Sequence, residues 1–413
     1  MGNRLTKILL IILLTTGIIS SCSYFDMTEK PTVEPKPTAT PSPLPSLENP
    51  TSPPPSPTAA VQPSEEPKFQ SVEFTIIAAG DVMAHGDNLK SAYDASTDTY
   101  SFEENYIHVK KIIEQADLAL CNLETVTAGK EAGYTSYPLF NTPASIIDGL
   151  KYAGFDVIVT ANNHSLDRGE TGIVKTLGEI EQRGILATGT YMEKGNNYLT
   201  VDIKGFSISI LAYTQHLNGN LPLLPEDKHF MINRMDKEQM INDIERASLH
   251  SDLVIVYLHW GNEYTRGTEE WQPSYAYDLI EAGADAILGT HPHVVRPDEI
   301  VMRGNEPKYI IYSMGNFISN FLRTDNKVNA IYTEDGVMVS LRFKSSEDGS
   351  IHLTNVTPIP TWPYKYANET GIHYEIIPVE DISKRLHEND YANSEAADSY
   401  NRTMESLEGF SGR

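Results

Sequence analysis

Six short apolar stretches in this chain stop in the same way, each at residues that hold metals or phosphates. FTIIAA (74–79) runs into Gly80-Asp81, DLALC (117–121) into Asn122-Leu123-Glu124, and DVIVTA (156–161) into Asn162-Asn163-His164. DLVIVYL (252–258) runs into His259-Trp260-Gly261, ADAILG (284–289) into Thr290-His291-Pro292-His293, and YIIYS (309–313) into Met314-Gly315-Asn316-Phe317. Stretches of this length, rich in β-branched and aliphatic residues, predict strands buried on both faces. In layered α/β sheets, ligands sit beyond the carboxyl ends of the strands. Six such ends on one rim would gather carboxylates, carboxamides and imidazoles in the outline of a metal site.

Helical patterns fill the gaps. Residues 101–115 carry Phe102, Tyr106, Val109, Ile112 and Ile113 on one face. Thr142-Pro143 reads as a helix start that Gly154 closes. Further helices are expected over 170–183, 237–249 and 274–282, the last stopped by Gly283. Stretches 198–204 and 206–213 flank Lys204-Gly205 as a hairpin, and 337–343 with 351–357 reads as another. Strand–helix alternation with added hairpins predicts an α/β fold whose sheets are mixed.

The amino-terminal residues read as an export signal. Arg4 and Lys7 precede an apolar stretch, 8–19, that is short for a membrane span. It ends in Ile19-Ser20-Ser21-Cys22, which resembles a lipobox, so 1–22 is expected to be a lipoprotein signal with lipid added at Cys22. An uncleaved anchor is the other reading. Both place the protein at the cell membrane on its extracytoplasmic face, held by a lipid anchor or the anchor segment. Residues 23–70 hold thirteen of the 25 prolines. Such a stretch buries no core and reads as a spacer, reaching up to ~150 Å at roughly 3.1 Å per residue. The folded domain is expected over 71–380, followed by a polar tail, 381–413, with a helix in it.

Charge narrows the partners. With 56 acidic and 32 basic residues the net charge is -24, which argues against nucleic acid. A polyanionic substrate would need a local positive centre, and a metal cluster supplies one. Cys121 is a lone cysteine in a predicted strand and reads as a small core residue.

A hydrolytic pair of metal ions needs a bridging carboxylate, neutral imidazoles and a carboxamide, with the ions about 3.5–4 Å apart. Asp81, Glu124, Asn163, His259, His291 and His293 are of those types, and Mn, Zn or Fe would suit such N/O ligands. His164, beside Asn163, is the candidate to face the substrate as an acid or base. Asn122, Asn316 and Arg168 are candidate substrate contacts, Asn316 being equally a turn former. Arg266 and Arg296 are candidates to hold a carboxylate or phosphate, or are merely solvated. Trp260, Tyr264 and Trp271 are either a stacking wall or packing.

GDVM (80–83), NLE (122–124), ANNHSLD (161–167), HWG (259–261), GTHPH (289–293) and SMGNF (313–317) together resemble the CapA-type family of bacterial capsule and poly-γ-glutamate synthesis proteins. The resemblance spans about residues 72–320. That family is similar to the calcineurin-like metallophosphoesterases, which implies a four-layer α/β/β/α sandwich. It also implies a division of ligands: one ion with Glu124, Asn163, His259 and His291, the other with Asp81, Glu124 and His293. The chain departs from the pattern at Met83, where a metallophosphoesterase has histidine, which weakens the second site. His85, two residues on, reads as a loop or helix-start residue. The resemblance implies work in making, exporting or anchoring the polymer, alongside membrane subunits of a capsule synthase. The chemistry would be metal-assisted hydrolysis or transfer at a phosphoester or amide. Two other readings stay open: a non-catalytic, polymer-binding subunit, and an extracellular phosphoesterase unrelated to capsule.

Overall fold

Alternation along the strands decides which side chains meet between layers. In the strand Glu73–Val82, Phe74, Ile76 and Ala78 point to one side and Ile77 and Ala79 to the other, and all are buried. The computed structural model describes residues 70–323, 329–379 and 390–410, which lie within the compact unit Pro67–Arg413. Cys22 and the proline-rich spacer fall outside the described residues. Among the described residues no helix is long and apolar enough to cross a membrane.

Two sheets carry the fold. The first runs in the order Gly371–Pro378, Ile351–Asn368, Gly336–Ser345, Glu73–Val82, Leu118–Leu123, Val157–Val159 and Leu186–Thr188. Its last four strands are parallel and the others antiparallel. The second runs Asp298–Arg303, Glu306–Ile311, Ala286–Thr290, Leu253–His259, Phe206–Thr214 and Tyr198–Ile203. Its four inner strands are parallel and each edge is an antiparallel hairpin.

Ile76, Leu120 and Val157 of the first sheet pack against Ile210, Ile255 and Leu288 of the second. Burying each such side chain stabilises by roughly 1.5–3 kcal/mol, so the inner core holds the two sheets face to face. The outer face of the first sheet is covered by the helix Ser145–Ala153 and by Phe102, Tyr106 and Val109. The outer face of the second is covered by helices Lys237–Ser248 and Gln272–Ala282. The result is the four-layer α/β/β/α sandwich with mixed sheets that the sequence led us to expect.

The carboxyl ends of the parallel strands of both sheets meet at one rim. Two glycines permit the close approach there: a Cβ on Gly80 would lie 2.0 Å from Gly315 O, and one on Gly289 2.2 Å from Tyr312 O. The backbone N–H of Asp81 donates to Gly315 O at 3.0 Å, which stitches the crossing segment to the strand end.

Some local expectations change. Residues 101–115 form two short pieces, Glu103–Tyr106 and Lys110–Ile113, and His108 between them reaches Glu375 at 2.6 Å. Thr142 caps no helix; its hydroxyl bonds Thr125 Oγ1 at 2.8 Å, and the helix begins at Ser145. The helix Asp390–Leu407 is fastened to the domain by paired bonds from Arg402 to Asp335 at 2.7 and 2.8 Å, and its Leu407 enters the inner core.

Candidate metal centre

The first sheet brings carboxylates and amides to the rim. Asp81 lies one residue before the end of its strand and is fully buried; Oδ1 accepts from Asn122 Nδ2 at 2.7 Å and Oδ2 from the His291 backbone N–H at 3.1 Å. Glu124 lies just past the neighbouring strand, 0% exposed, and among the described residues neither carboxylate oxygen has a hydrogen-bond partner of good geometry, Asp81 being its nearest carboxyl neighbour. Burial, reinforced by the Asp81 charge, pushes its pKa well up. Asn163 and His164 lie in the turn after Val157–Val159.

The second sheet brings imidazoles. His259 ends its strand with Nδ1 held 3.0 Å from Thr290 Oγ1. Its Nε2 lies 2.9 Å from Asn163 Oδ1, 3.1 Å from His291 Nδ1 and 3.6 Å from Glu124 Oε1. His293 lies 3.6 Å from Asp81 Oδ2 through Nδ1 and 3.8 Å from Glu124 Oε1 through Nε2. Burial, followed by the neighbouring imidazoles, holds the pKa values of His259 and His291 well down, so both rings are neutral and able to donate lone pairs. His291 and His293 adopt φ of 95° and 57°. Non-glycine residues rarely adopt such angles, and they persist only where the surroundings enforce them.

All six predicted ligand residues therefore meet at one place. Their donor atoms also form two tighter groups, Glu124 with His291 and His293, and Asp81 with Glu124 and His259, each within 4.8 Å. Glu124 is common to both. These groups cut across the division implied by the resemblance, because His259 stands between the two carboxylates.

His164 sits beside this cluster. Its Nδ1 lies 2.7 Å from Asp167 Oδ2, which also accepts from the Phe140 backbone N–H at 2.7 Å. Since the carboxylate only accepts, Nδ1 carries the proton and Nε2 is free to exchange one. Phe140 packs edge-on against the ring at 4.7 Å. Asp167 escaped the sequence reading although it lies within the quoted ANNHSLD; spacing alone does not say which carboxylate backs a histidine.

The three expected substrate contacts are each bonded within the protein. Asn122 is fully buried, donating to Asp81 and accepting from Asn162 Nδ2 at 3.2 Å, so it braces the cluster from behind. Asn316 is fully buried with Oδ1 3.0 Å from His293 Nδ1, and its amide donates to Thr333 O at 3.0 Å. Arg168 clamps a loop, donating to Thr135 Oγ1 at 2.6 Å and to Asp167 O at 2.9 Å. Arg296 is likewise internal, bonded to Glu269, Gln272 and two backbone carbonyls. Trp260 is buried and stacks on Tyr312 at 5.9 Å, so it is packing. Met83 packs with Phe140 and Phe321, which makes its position apolar. His85 precedes the helix Gly86–Ala92 as its cap residue.

A cleft of about 460 Å³ opens beside His291, lined by His216, Asn218, Asn262 and Glu263 among others. His216 was missed in the sequence. Its ring lies 5.3 Å from that of His291. The signal was present: Phe206–Thr214 is a further parallel strand, and it ends just before Gln215-His216.

Residues 75–321 match the family described as bacterial capsule synthesis protein PGA_cap. The chain is 28% identical over 316 residues to the PGA biosynthesis protein CapA of Bacillus subtilis, covering 72% of this chain and 77% of that one. It is 25% identical over 284 residues to the capsule biosynthesis protein CapA of Bacillus anthracis, covering 66% of each. Among solved structures it is similar to the calcineurin-like phosphoesterase YfkN of Bacillus subtilis, at 14% identity and a TM-score of 0.40, covering 81% of this chain and 98% of that one.

Proposed function

The chain belongs to the family of bacterial capsule synthesis proteins, and from that premise we propose that it serves the making, export or anchoring of a poly-γ-glutamate-type capsule polymer through a divalent metal held at the rim. The observation that carries the metal is Glu124. A carboxylate with no exposure and no hydrogen-bond partner of good geometry is costly to bury. A cation between it and the neutral imidazoles of His259 and His291 removes that cost. The donor set of two carboxylates, one carboxamide and three imidazoles fits Mn, Zn or Fe.

Glu124, His291 and His293 would hold one ion, and Asp81, Glu124 and His259 would hold a second, with Asn163 beside His259. Bound there, the metal supplies Lewis acidity and an activated water for attack on a phosphoester or amide. The chain's own residues do the rest. Thr290 fixes the orientation of His259, and Asn316 that of His293. Asp167 holds His164 so that Nε2 takes up a proton and returns it to a leaving group. The cleft along His216 and Asn218 would lead the substrate to His291.

The spacer and the lipid anchor at Cys22 would hold this domain outside the cell at the membrane, beside the membrane subunits of a synthase. Replacing Cys22 with serine is expected to abolish incorporation of labelled fatty acid; undiminished labelling would contradict the anchor.

The metal reading is tested by elemental analysis of the full chain and of His291→Ala, paired with turnover assays on γ-glutamyl polymer and on phosphoesters. Stoichiometric metal that His291→Ala loses supports it. A metal-free native protein that still complements capsule formation contradicts it.

A further inference from the structure

The second sheet ends in two hairpin edges of unlike character. Tyr198–Ile203 and Asp298–Arg303 share one pattern of exposure along their six residues, with the third and fifth positions outermost. In the first strand those positions are Thr200 and Asp202. In the second they are Ile300 and Met302, 53% and 57% exposed. A polar or charged edge discourages pairing with another chain, and an apolar one invites it. So the sheet is polar at one edge and apolar at the other, where Glu408–Phe410 lies beside the strand but leaves Ile300 and Met302 exposed.

The apolar edge is ready to pair. Arg303 lies opposite Glu306 across a two-residue turn at Gly304-Asn305. In such a hairpin the closing pair is hydrogen-bonded and the next is not. Met302 faces Pro307, which has no N–H, and Ile300 faces Tyr309 two residues on. The backbone N–H and C=O groups of Ile300 and Met302 therefore point away from the sheet.

We propose that this edge pairs antiparallel with the same edge of a second copy of this chain, about a two-fold axis at Val301. In that register Ile300 of each copy lies opposite Met302 of the other, and their outward backbone groups meet as hydrogen-bonded pairs. Glu299 of each lies opposite Arg303 of the other, so opposite charges face directly across the new ladder. Both are already oriented. Glu299 accepts from Tyr312 Oη at 2.7 Å and Tyr277 Oη at 3.0 Å, and Arg303 donates one N–H to Ile280 O at 2.9 Å. Tyr277, 40% exposed on the adjacent helix, flanks Glu299 on the outer face of the sheet. The strand is thus self-complementary, as an isologous interface requires. The two inner sheets would join into one.

Sedimentation of the full chain, detergent-solubilised where lipidated, tests this. The wild type is expected to sediment as a dimer. Arg303→Glu sets glutamates against glutamates, and Glu299→Arg sets arginines against arginines; each alone is expected to be monomeric. An equimolar mixture of the two restores both opposite-charge pairs and is expected to form a mixed dimer. Met302→Lys is expected to be monomeric with an unchanged melting temperature, and it keeps the test decisive should Glu299→Arg fail to fold. A monomeric wild type, or dimers that persist in both Arg303→Glu and Met302→Lys, would overturn the proposal.

Discussion

The two sheets contribute opposite chemistry to one rim. The first delivers Asp81, Glu124, Asn163 and the His164–Asp167 pair. The second delivers His259, His291, His293 and His216. Each donor group draws on both sheets, with Glu124 from the first and histidine from the second. The inner core that presses the sheets together is thus also what assembles the site, and its geometry is fixed by packing far larger than any single ligand interaction.

The largest expected effect comes from the side chain that belongs to both donor groups. Glu124→Gln should lower metal affinity by at least about 100-fold, beyond the range seen when outer ligand supports are lost. It should not unfold the chelated domain, because it removes a buried charge that has no partner there. Metal titration and a melting curve check both statements. Retained metal in this variant would break the division of labour between the sheets.

His164→Ala sharpens the comparison from the first sheet's side. Metal content should hardly change, since His164 lies outside both donor groups, while melting temperature should fall because buried Asp167 loses its imidazole partner. Turnover of any substrate identified should fall about 10²–10⁴-fold, the usual loss of an acid–base group. Loss of metal in this variant would reassign the ligands.

The two sheets should also respond to pH in opposite senses. His259 and His291 have folded pKa values below the ordinary 6.5. The unfolded chain therefore takes up protons first, and stability is lost as pH falls through 6.5. Glu124 has a folded pKa above the ordinary 4.5, so its contribution is present below 4.5 and is lost as pH rises from there toward the folded value. In melting curves of the chelated protein, the wild type should lose more stability than Glu124→Gln as pH rises above 4.5. Parallel curves for the two would remove Glu124 from the account.

The smallest effect is expected at Thr290→Val, which removes only the hydroxyl beside His259 Nδ1. Metal affinity should fall about 10–100-fold, with the fold intact by its melting curve. No change would mean that packing alone orients His259.

The strands were legible because each is a simple period of buried aliphatics closed by an unlike residue, as at Ala79, Gly80 and Asp81. The layered fold and the meeting of the ligand residues follow from that. What stayed hidden depends on tertiary direction. Asn122 and Asn316 looked like free amides, and only the folded chain turns them inward onto Asp81 and His293. Arg168 looked available until the loop at Thr135 closed over it. His216 was passed over because its strand was read only as half of a hairpin, when its other neighbour, Leu253–His259, is parallel to it. Strand Gly371–Pro378 went unseen because its pairing with Ile351–Asn368 extends a hairpin whose visible signal ended earlier.

The central claim is that the two sheets jointly hold a metal at Glu124. Anomalous diffraction at the absorption edges of Mn, Fe and Zn, from crystals of the purified protein, tests it most directly. The account predicts a peak touching Glu124 together with His259 or His291, at about 2.0–2.3 Å from the ligand atoms. Clear density for these side chains with no peak among them, in crystals grown with those metals, would contradict it.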